Sequence, residues 1–442
     1  MKIVVAGASG FIGQSLIEEI GKHHFVRALS RSVKQSENSH IEWEVCDLFS
    51  LIDAERAFQD VDIAVYLVHS MRPSAHLIQG ETEDLDLILA DNFLRAAKKE
   101  NVRQIICLNG LYSGGRVELE ELFRQSALNV TLIRSDLILG TEGSAFYIMT
   151  RLVDRAPFLF AQAWAQNRAQ PVALPDIVRL ICDCIGNPRT YNQTIEIAGS
   201  ESVSYSQLLQ KIARRRGRRL HFISVPFFGK KFSQWWIRLV TGAPKALVAA
   251  FINGGREIPA AVSIRNGQEQ DLIGWEKAVD LALDDYCSSR PRAFQGNPSG
   301  RHVVRSVQRL YLPPGKTARD VAQAYLDFLP KMQPWLLKVK VQEHHISFGW
   351  RFPFIEILVL EHSAERSWSH RQLFYVKGGL LARQTQRARL EFREISGGEA
   401  VISAIHDFQP RMPWLLYRWT QALFHVWMMK QFNHYLRSKK SA

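Results

Sequence analysis

Apolar and polar positions follow two different rhythms along this chain, and the change comes near residue 290. The opening run Ile3-Val-Val-Ala6 has no polar alternation, as in a strand buried on both faces, and Phe11, Ile12, Leu16, Ile17 and Ile20 follow at helical spacing. Further strands are predicted over residues 25–29, 41–46, 62–69, 103–108, 130–134 and 193–198. Between them, 83–100 reads as an amphipathic helix and 144–153 and 175–185 as helix-rich, and a later helix has Ser204 as its N-cap. This alternation predicts an α/β fold with a Rossmann-type, doubly wound parallel sheet that binds its ligand outside the carboxyl ends of the strands.

Past residue 300 the rhythm becomes strand 303–312, amphipathic helix 317–329, then strand-like runs at 336–341, 355–360, 372–376, 387–394 and 400–408. Gly378-Gly379 and Gly397-Gly398 read as hairpin turns, and one long helix is expected over 413–437. That is the element order of an α+β helix-grip domain. The Pro, Gly and Ser content of 288–300 marks a linker, so the expected domains are 1–290 and 301–442.

The 442 residues are 46% hydrophobic and 22% charged, which fits a folded chain and excludes a disordered one. No run approaches the ~18 uncharged apolar residues of a bilayer helix, and no leader-like segment precedes the first strand, so a cytoplasmic protein is expected. Five scattered cysteines suit reduced thiols, and Cys182-Asp-Cys184 reads as helix. The net charge of +13 is uneven: from Arg301 onward there are 22 Lys and Arg against 10 Asp and Glu. Such a basic half suits an acidic partner, above all an anionic membrane surface, with the protein peripheral at the inner membrane face. Nucleic acid is less favoured because no binding motif interleaves the charges. The cluster Arg214–Arg219 is open to two readings, a phosphate contact or a solvated helix end. Histidines 344, 345, 362, 370, 406, 425 and 434 lack ligand spacing, and no metal is expected.

The first strand-to-helix turn carries the chemistry. In Gly7-Ala-Ser9-Gly10-Phe11-Ile12-Gly13, Gly7 allows the tight turn, Gly10 lets backbone approach a pyrophosphate, and Gly13 lets the helix pack on the strand. Residues 7 and 9–13 are the expected cofactor contacts. Arg31 stands just past the second strand, where an acidic residue would hold ribose hydroxyls. A guanidinium there suits a 2′-phosphate, so NADP(H) is expected over NAD(H), the alternative being an ordinary exposed arginine. Asp47 and Leu48 end the third strand, either to meet an adenine amino group or to N-cap the next helix. Val68 and His69 end the fourth strand and Asn109 the fifth, all on the cofactor side.

Gly7–Gly13, the Arg-Ala-Leu-x-Arg ending at Arg31, Asp47-Leu48, Tyr66–Met71, Leu108–Leu111, Thr131–Arg134 and Gln170–Val178 resemble atypical, NmrA-like short-chain dehydrogenases/reductases. Val225-Pro226, Trp235-Trp236 and Gly242 are similar to a bacterial subgroup with an extra C-terminal domain. Arg389–Arg393, Phe408–Pro410 and the aromatic final helix are similar to that uncharacterised domain. Active members of the superfamily use a Tyr-x-x-x-Lys dyad and a strand-end serine. Here Tyr112 is followed by Arg116, and Asn109-Gly110 replaces the serine. An arginine keeps the charge but does not relay a proton near neutral pH.

Two functions follow from the resemblance. One is a reductase of an apolar carbonyl or quinone-like molecule, with Asn109 and Tyr112 polarising the oxygen and Arg116 in the lysine position. The other is a non-catalytic NADP(H)-binding sensor or scaffold whose second domain takes a hydrophobic small molecule or an acidic membrane. The aromatic segment 158–164 is either a pocket wall or plain core.

Overall fold

The computed structural model describes residues 1–69, 75–110, 117–135, 137–156, 158–160, 163–223, 229–254, 272–288, 302–332, 337–350, 354–395 and 398–439. The chain forms two compact units, Met1–Arg72 with Leu89–Gln295, and Pro73–Ile88 with Gly296–Ala442.

In the first unit the strands are β1 (Lys2–Ala6), β2 (Phe25–Ser30), β3 (Ile41–Val45), β4 (Ile63–Tyr66), β5 (Gln104–Gly110), β6 (Val130–Ser135) and β7 (Thr194–Ile197). They form one sheet in the order β3-β2-β1-β4-β5-β6-β7. Every pairing in it is parallel. Chain direction across the sheet reverses between β1 and β4, the crevice where doubly wound sheets bind ligands. The helices are α1 (Phe11–Ile20), α2 (Leu51–Ala57), α3 (Thr82–Lys99, of which residues 82–88 count with the second unit), α4 (Val117–Arg124), α5 (Ser144–Arg155), α6 (Leu174–Cys184), α7 (Tyr205–Arg215), α8 (Lys230–Thr241), α9 (Lys245–Asn253) and α10 (Trp275–Ser288). Ile3, Val5, Val65 and Ile133 of the sheet bury against Leu16 and Ile17 of α1 and Ile177 and Ile181 of α6. The predicted helix over 175–185 is thus α6, and it contains Cys182 and Cys184.

Ser204 caps α7 in a reciprocal box with Gln207. The basic cluster at the end of α7 fastens helices together. Arg215 bonds Asp280 of α10 at 2.9 Å, and Arg216 grips both oxygens of Asp154 in α5 at 2.9 and 3.0 Å. Within the aromatic segment Leu159 and Trp164 are core, Trp164 against Phe251, while Phe160 is half-buried on Phe232 and Trp236 and Phe158 is exposed beside His221.

The second unit holds β8 (Val304–Tyr311), α11 (Ala318–Met332), β9 (Leu337–Gln342), β10 (His345–Trp350), β11 (Glu356–His362), β12 (Arg371–Gly378), β13 (Arg389–Ile395), β14 (Ala400–Phe408), α12 (Trp414–Trp419) and α13 (Gln421–Ser438). The sheet runs β9-β10-β11-β12-β13-β14-β8, antiparallel throughout. The three-residue strand Leu77–Gln79 adds in parallel to the β8 edge and makes the sheet mixed. This is why residues 73–88 join this unit, where the sequence pattern put a single boundary near 290: three residues are too few to show a period. Val321 and Tyr325 of α11 and Met429 and Phe432 of α13 bury against Leu390, Phe392 and Val401.

Three expectations need correction here. Strand β10 was not expected: Ile346, Phe348 and Trp350 alternate along it, but the run is only six residues long and its register shifts at Gly349. Gly378-Gly379 is no tight hairpin: both residues take positive φ, +139° and +119°, and a longer loop then leads to β13. The single terminal helix is two, broken at Thr420 (φ −122°, ψ −83°), whose hydroxyl donates to the Leu416 carbonyl at 2.5 Å. A β-branched residue that bonds back to its preceding turn loosens a helix there.

Candidate dinucleotide site

Parallel register brings the carboxyl ends of five strands to one edge: Ala6 lies beside Leu29 and Tyr66, Ser30 beside Val45, and Tyr66 beside Cys107. The segments just past those ends hold Gly7–Gly13, Arg31, Asp47 and Leu48, and Val68 and His69, with Asn109 the last residue but one of β5. The sheet therefore gathers the predicted cofactor residues into one row.

Gly7 has φ +88°, and a Cβ there would lie 2.9 Å from the Leu67 carbonyl oxygen. The Gly10 N–H closes the turn on the Gly7 carbonyl at 2.9 Å. Gly10 then opens α1 in extended conformation without any side-chain cap, leaving the first-turn amides to an incoming anion. A Cβ on Gly13 would collide with the Gly7 carbonyl oxygen and stand 2.6 Å from Ala8 Cα, so Gly13 lets α1 pack on the turn itself rather than on the strand. The Phe11 ring lies so close to Gly140 that a Cβ there would meet its Cζ at 2.6 Å. A cradle closed to any added methyl fits a diphosphate held by backbone amides.

Arg31 is exposed directly after β2, in a turn where Ser30 Oγ accepts from the Ser32 N–H at 3.3 Å. Asp47 does not cap α2. Its Oδ1 accepts from the Phe49 N–H at 3.2 Å, and Ser50 is the cap, accepting from Asp53. The Leu48 carbonyl accepts from Asn92 Nδ2 at 2.7 Å. Asn92 is wholly buried on α3, and sequence reasoning missed it. The signal was present, since a polar residue there interrupts the apolar face of Leu85, Leu89, Phe93 and Ala96.

Asn109 is buried, and its amide faces a charge network that sequence reasoning also missed. Nδ2 donates to Glu120 Oε1 at 2.9 Å, and Oδ1 accepts from the Gly110 N–H at 3.0 Å. Glu120 of α4 is also gripped by the Nε–Nη2 edge of the Arg134 guanidinium, whose Nη1 donates to Glu196 of β7 at 2.9 Å. Burial alone would push the Glu120 carboxyl up. The hydrogen bonds and charge of Arg134 outweigh this, with Asn109 and Arg124 assisting, and hold it below the usual carboxylate value. Tyr112 and Arg116, the other expected catalytic residues, lie outside the described residues.

Burial pushes the Cys182 thiol up to about 11 and the Cys184 thiol up to about 12, so neither is a thiolate near neutral pH. Among the described residues no group of three or more His, Cys, Asp or Glu side chains is placed to hold a metal ion. Nor is any described helix long and apolar enough to cross a membrane.

The second unit has a cavity of its own, about 180 Å³, between its sheet and α12–α13. Phe348, Leu360, Val376, Leu390, Ile405 and Met428 make the wall apolar, and Ser306, Gln421 and His425 are polar points in it. His425 Nδ1 is 3.4 Å from Ser306 Oγ. Among the described residues, nothing bonds the buried His425 Nε2 or Gln421 Oε1. Burial lowers the His425 imidazole to about 4, so it is neutral at physiological pH.

Residues 7–136 match the family model described as NAD(P)H-binding. The chain carries an NAD(P)H-binding domain. Over 139 residues it is 31% identical to the auxiliary protein GraX of Staphylococcus aureus, a match covering 31% of this chain and 44% of that protein. It is 21% identical over 275 residues to a UDP-glucose 4-epimerase of Vibrio cholerae, covering 52% of this chain and 82% of that enzyme. Among solved structures, a nucleoside-diphosphate-sugar epimerase from Staphylococcus aureus aligns at 17% identity with a TM-score of 0.47, covering 67% of this chain and 98% of that one. The chain thus spans less than half the length of the first curated relative and most of the second.

Proposed function

We propose that the first unit binds NADP(H) in preference to NAD(H). The Gly7–Gly13 turn takes the pyrophosphate on its amides, Arg31 takes the 2′-phosphate, Asp47 and Leu48 border the adenine, and Val68 and His69 border the nicotinamide half. The observation that carries the reading is an exposed guanidinium just past β2, in the row of strand ends that also holds the glycine turn. A charge-assisted bond to phosphate contributes ~1.5–3 kcal/mol, or roughly ten- to a hundredfold in affinity. Replacing Arg31 by Ala is expected to erase the difference between NADPH and NADH in a competition titration. An unchanged difference overturns the assignment.

The bound dinucleotide supplies or accepts a hydride at its nicotinamide ring. For the protein's own part, Arg116 in place of the dyad lysine favours a binding protein over a reductase, and Glu120 takes one of the two N–H donors with which Asn109 would polarise a substrate. NADPH absorbance followed against a panel of apolar carbonyls and quinones decides between them. The binding-protein reading expects no turnover, and turnover abolished in Tyr112→Phe establishes the reductase.

For the second unit we read a helix-grip-like site for an apolar molecule of about one ring with a single hydroxyl. A cavity of comparable size in another protein, ~150 Å³, holds benzene. A hydroxyl can both donate to Gln421 Oε1 and bond His425 Nε2, which lie one helical turn apart. Organic extraction of the purified protein followed by mass spectrometry tests it: a hydroxylated apolar compound is expected from the native chain and none from Met428→Trp, which fills the cavity.

A further inference from the structure

The charge asymmetry of the sequence calls for an acidic partner without saying which surface meets it. The helices that close the second unit do say. Leu415 and Trp419 stand four residues apart on α12, and Leu423 and Trp427 four apart on α13, and they are 70%, 68%, 55% and 45% exposed. Leu416 and Phe424 flank them at 50% each. None of these six belongs to the buried core, which Tyr417, Ala422, Met428, Met429 and Phe432 close instead. A row of large apolar side chains so open to water marks a surface built to be covered.

The charge around the row says by what. From Phe408 to the end of the chain there is no Asp or Glu, while Arg411, Arg418, Lys430, Arg437, Lys439 and Lys440 are all cationic. Arg411, Arg418, Lys430 and Arg437 are exposed, and the Arg418 guanidinium lies 5.6 Å from the Trp419 ring centroid. We propose that this face, α12 with the first half of α13, docks the protein in the plane of an anionic lipid bilayer. Trp and Leu side chains enter the headgroup boundary while the flanking cations stay at the phosphates, the arrangement of an interfacial helix. A second copy of the chain would set this acid-free segment against itself, with like charges facing each other. Nucleic acid would leave the Leu and Phe stripe uncovered.

Phe424 is both half-exposed in this row and part of the wall of the cavity. Resting on the reading of that cavity as a ligand site, the docked face brings its wall to the depth at which apolar molecules dissolve in the bilayer.

The test is flotation of the full-length protein with vesicles of phosphatidylcholine containing phosphatidylglycerol, beside vesicles of phosphatidylcholine alone. Binding to the anionic vesicles at low salt is expected, with none to the neutral ones. Each of Arg418→Ala and Lys430→Ala should weaken it about fivefold. Trp419→Glu with Trp427→Glu should abolish it while leaving NADPH affinity unchanged, so the outcome is independent of the dinucleotide assignment. Should that double variant fold poorly, quenching of wild-type tryptophan fluorescence by brominated phosphatidylglycerol gives the same answer. Failure to float at low salt, equal flotation of a folded double variant, absence of quenching, or a wild-type dimer that the double variant converts to monomer would each overturn the proposal.

Discussion

At the scale of single residues, the glycines of the first turn differ in what they tolerate, and the difference is measurable. At Gly13 an added Cβ meets backbone atoms, which cannot swing aside. Gly217, at φ +61°, has nothing within 4 Å, so an alanine there meets only the left-handed strain. Thermal melts should find Gly13→Ala destabilised by about 2 kcal/mol or more, with NADPH binding lost, and Gly217→Ala by only ~1 kcal/mol. Asn92→Leu leaves the buried Leu48 carbonyl without its donor and should cost roughly 1–3 kcal/mol in the same assay. The glycine turn was legible in the sequence because its conformational demand falls on residue types. Asn92 is legible only once its helix face is known, and the partner of Asn109 not at all, since Glu120 lies on another element.

Elements are tied at the site edge by one carboxylate. Glu120 joins α4 to β5 through Asn109 and to β6 through Arg134, and Arg134 extends the network to β7 through Glu196. Because its folded-state pKa is lowered from 4.5, the stability it contributes is complete well above that pH and is lost as pH falls through the lower folded value. Glu120→Gln should therefore lose about 2 kcal/mol at neutral pH and show a weaker acid dependence below pH 4.5 than the native chain, as read from urea unfolding across that range. Most of the long strands were legible from apolar period alone, their ends shifting by up to three residues, as where β4 stops at Tyr66 instead of His69, whereas α4, α8, α9 and α10 were not anticipated. Other misses have physical causes: β10 is a short six-residue run with a register shift at Gly349, Leu77–Gln79 is too short for any period, and the apolar pattern runs unbroken across Thr420, where only backbone geometry changes.

For the whole molecule, two halves of different charge correspond to two units of different sheet type. The parallel sheet could be anticipated because crossover helices force its strands to be apolar throughout. The partition of residues 73–88 could not, because it depends on an edge pairing between segments more than 200 residues apart in sequence. In the proposed function the first unit's turn receives the dinucleotide phosphates and Arg31 chooses between the two forms of the cofactor. Isothermal titration calorimetry of the intact protein with NADPH and with NADH measures both directly. The predicted result is one NADPH bound per chain, roughly ten- to a hundredfold tighter than NADH; saturable binding of neither, or equal affinity for both, would contradict it.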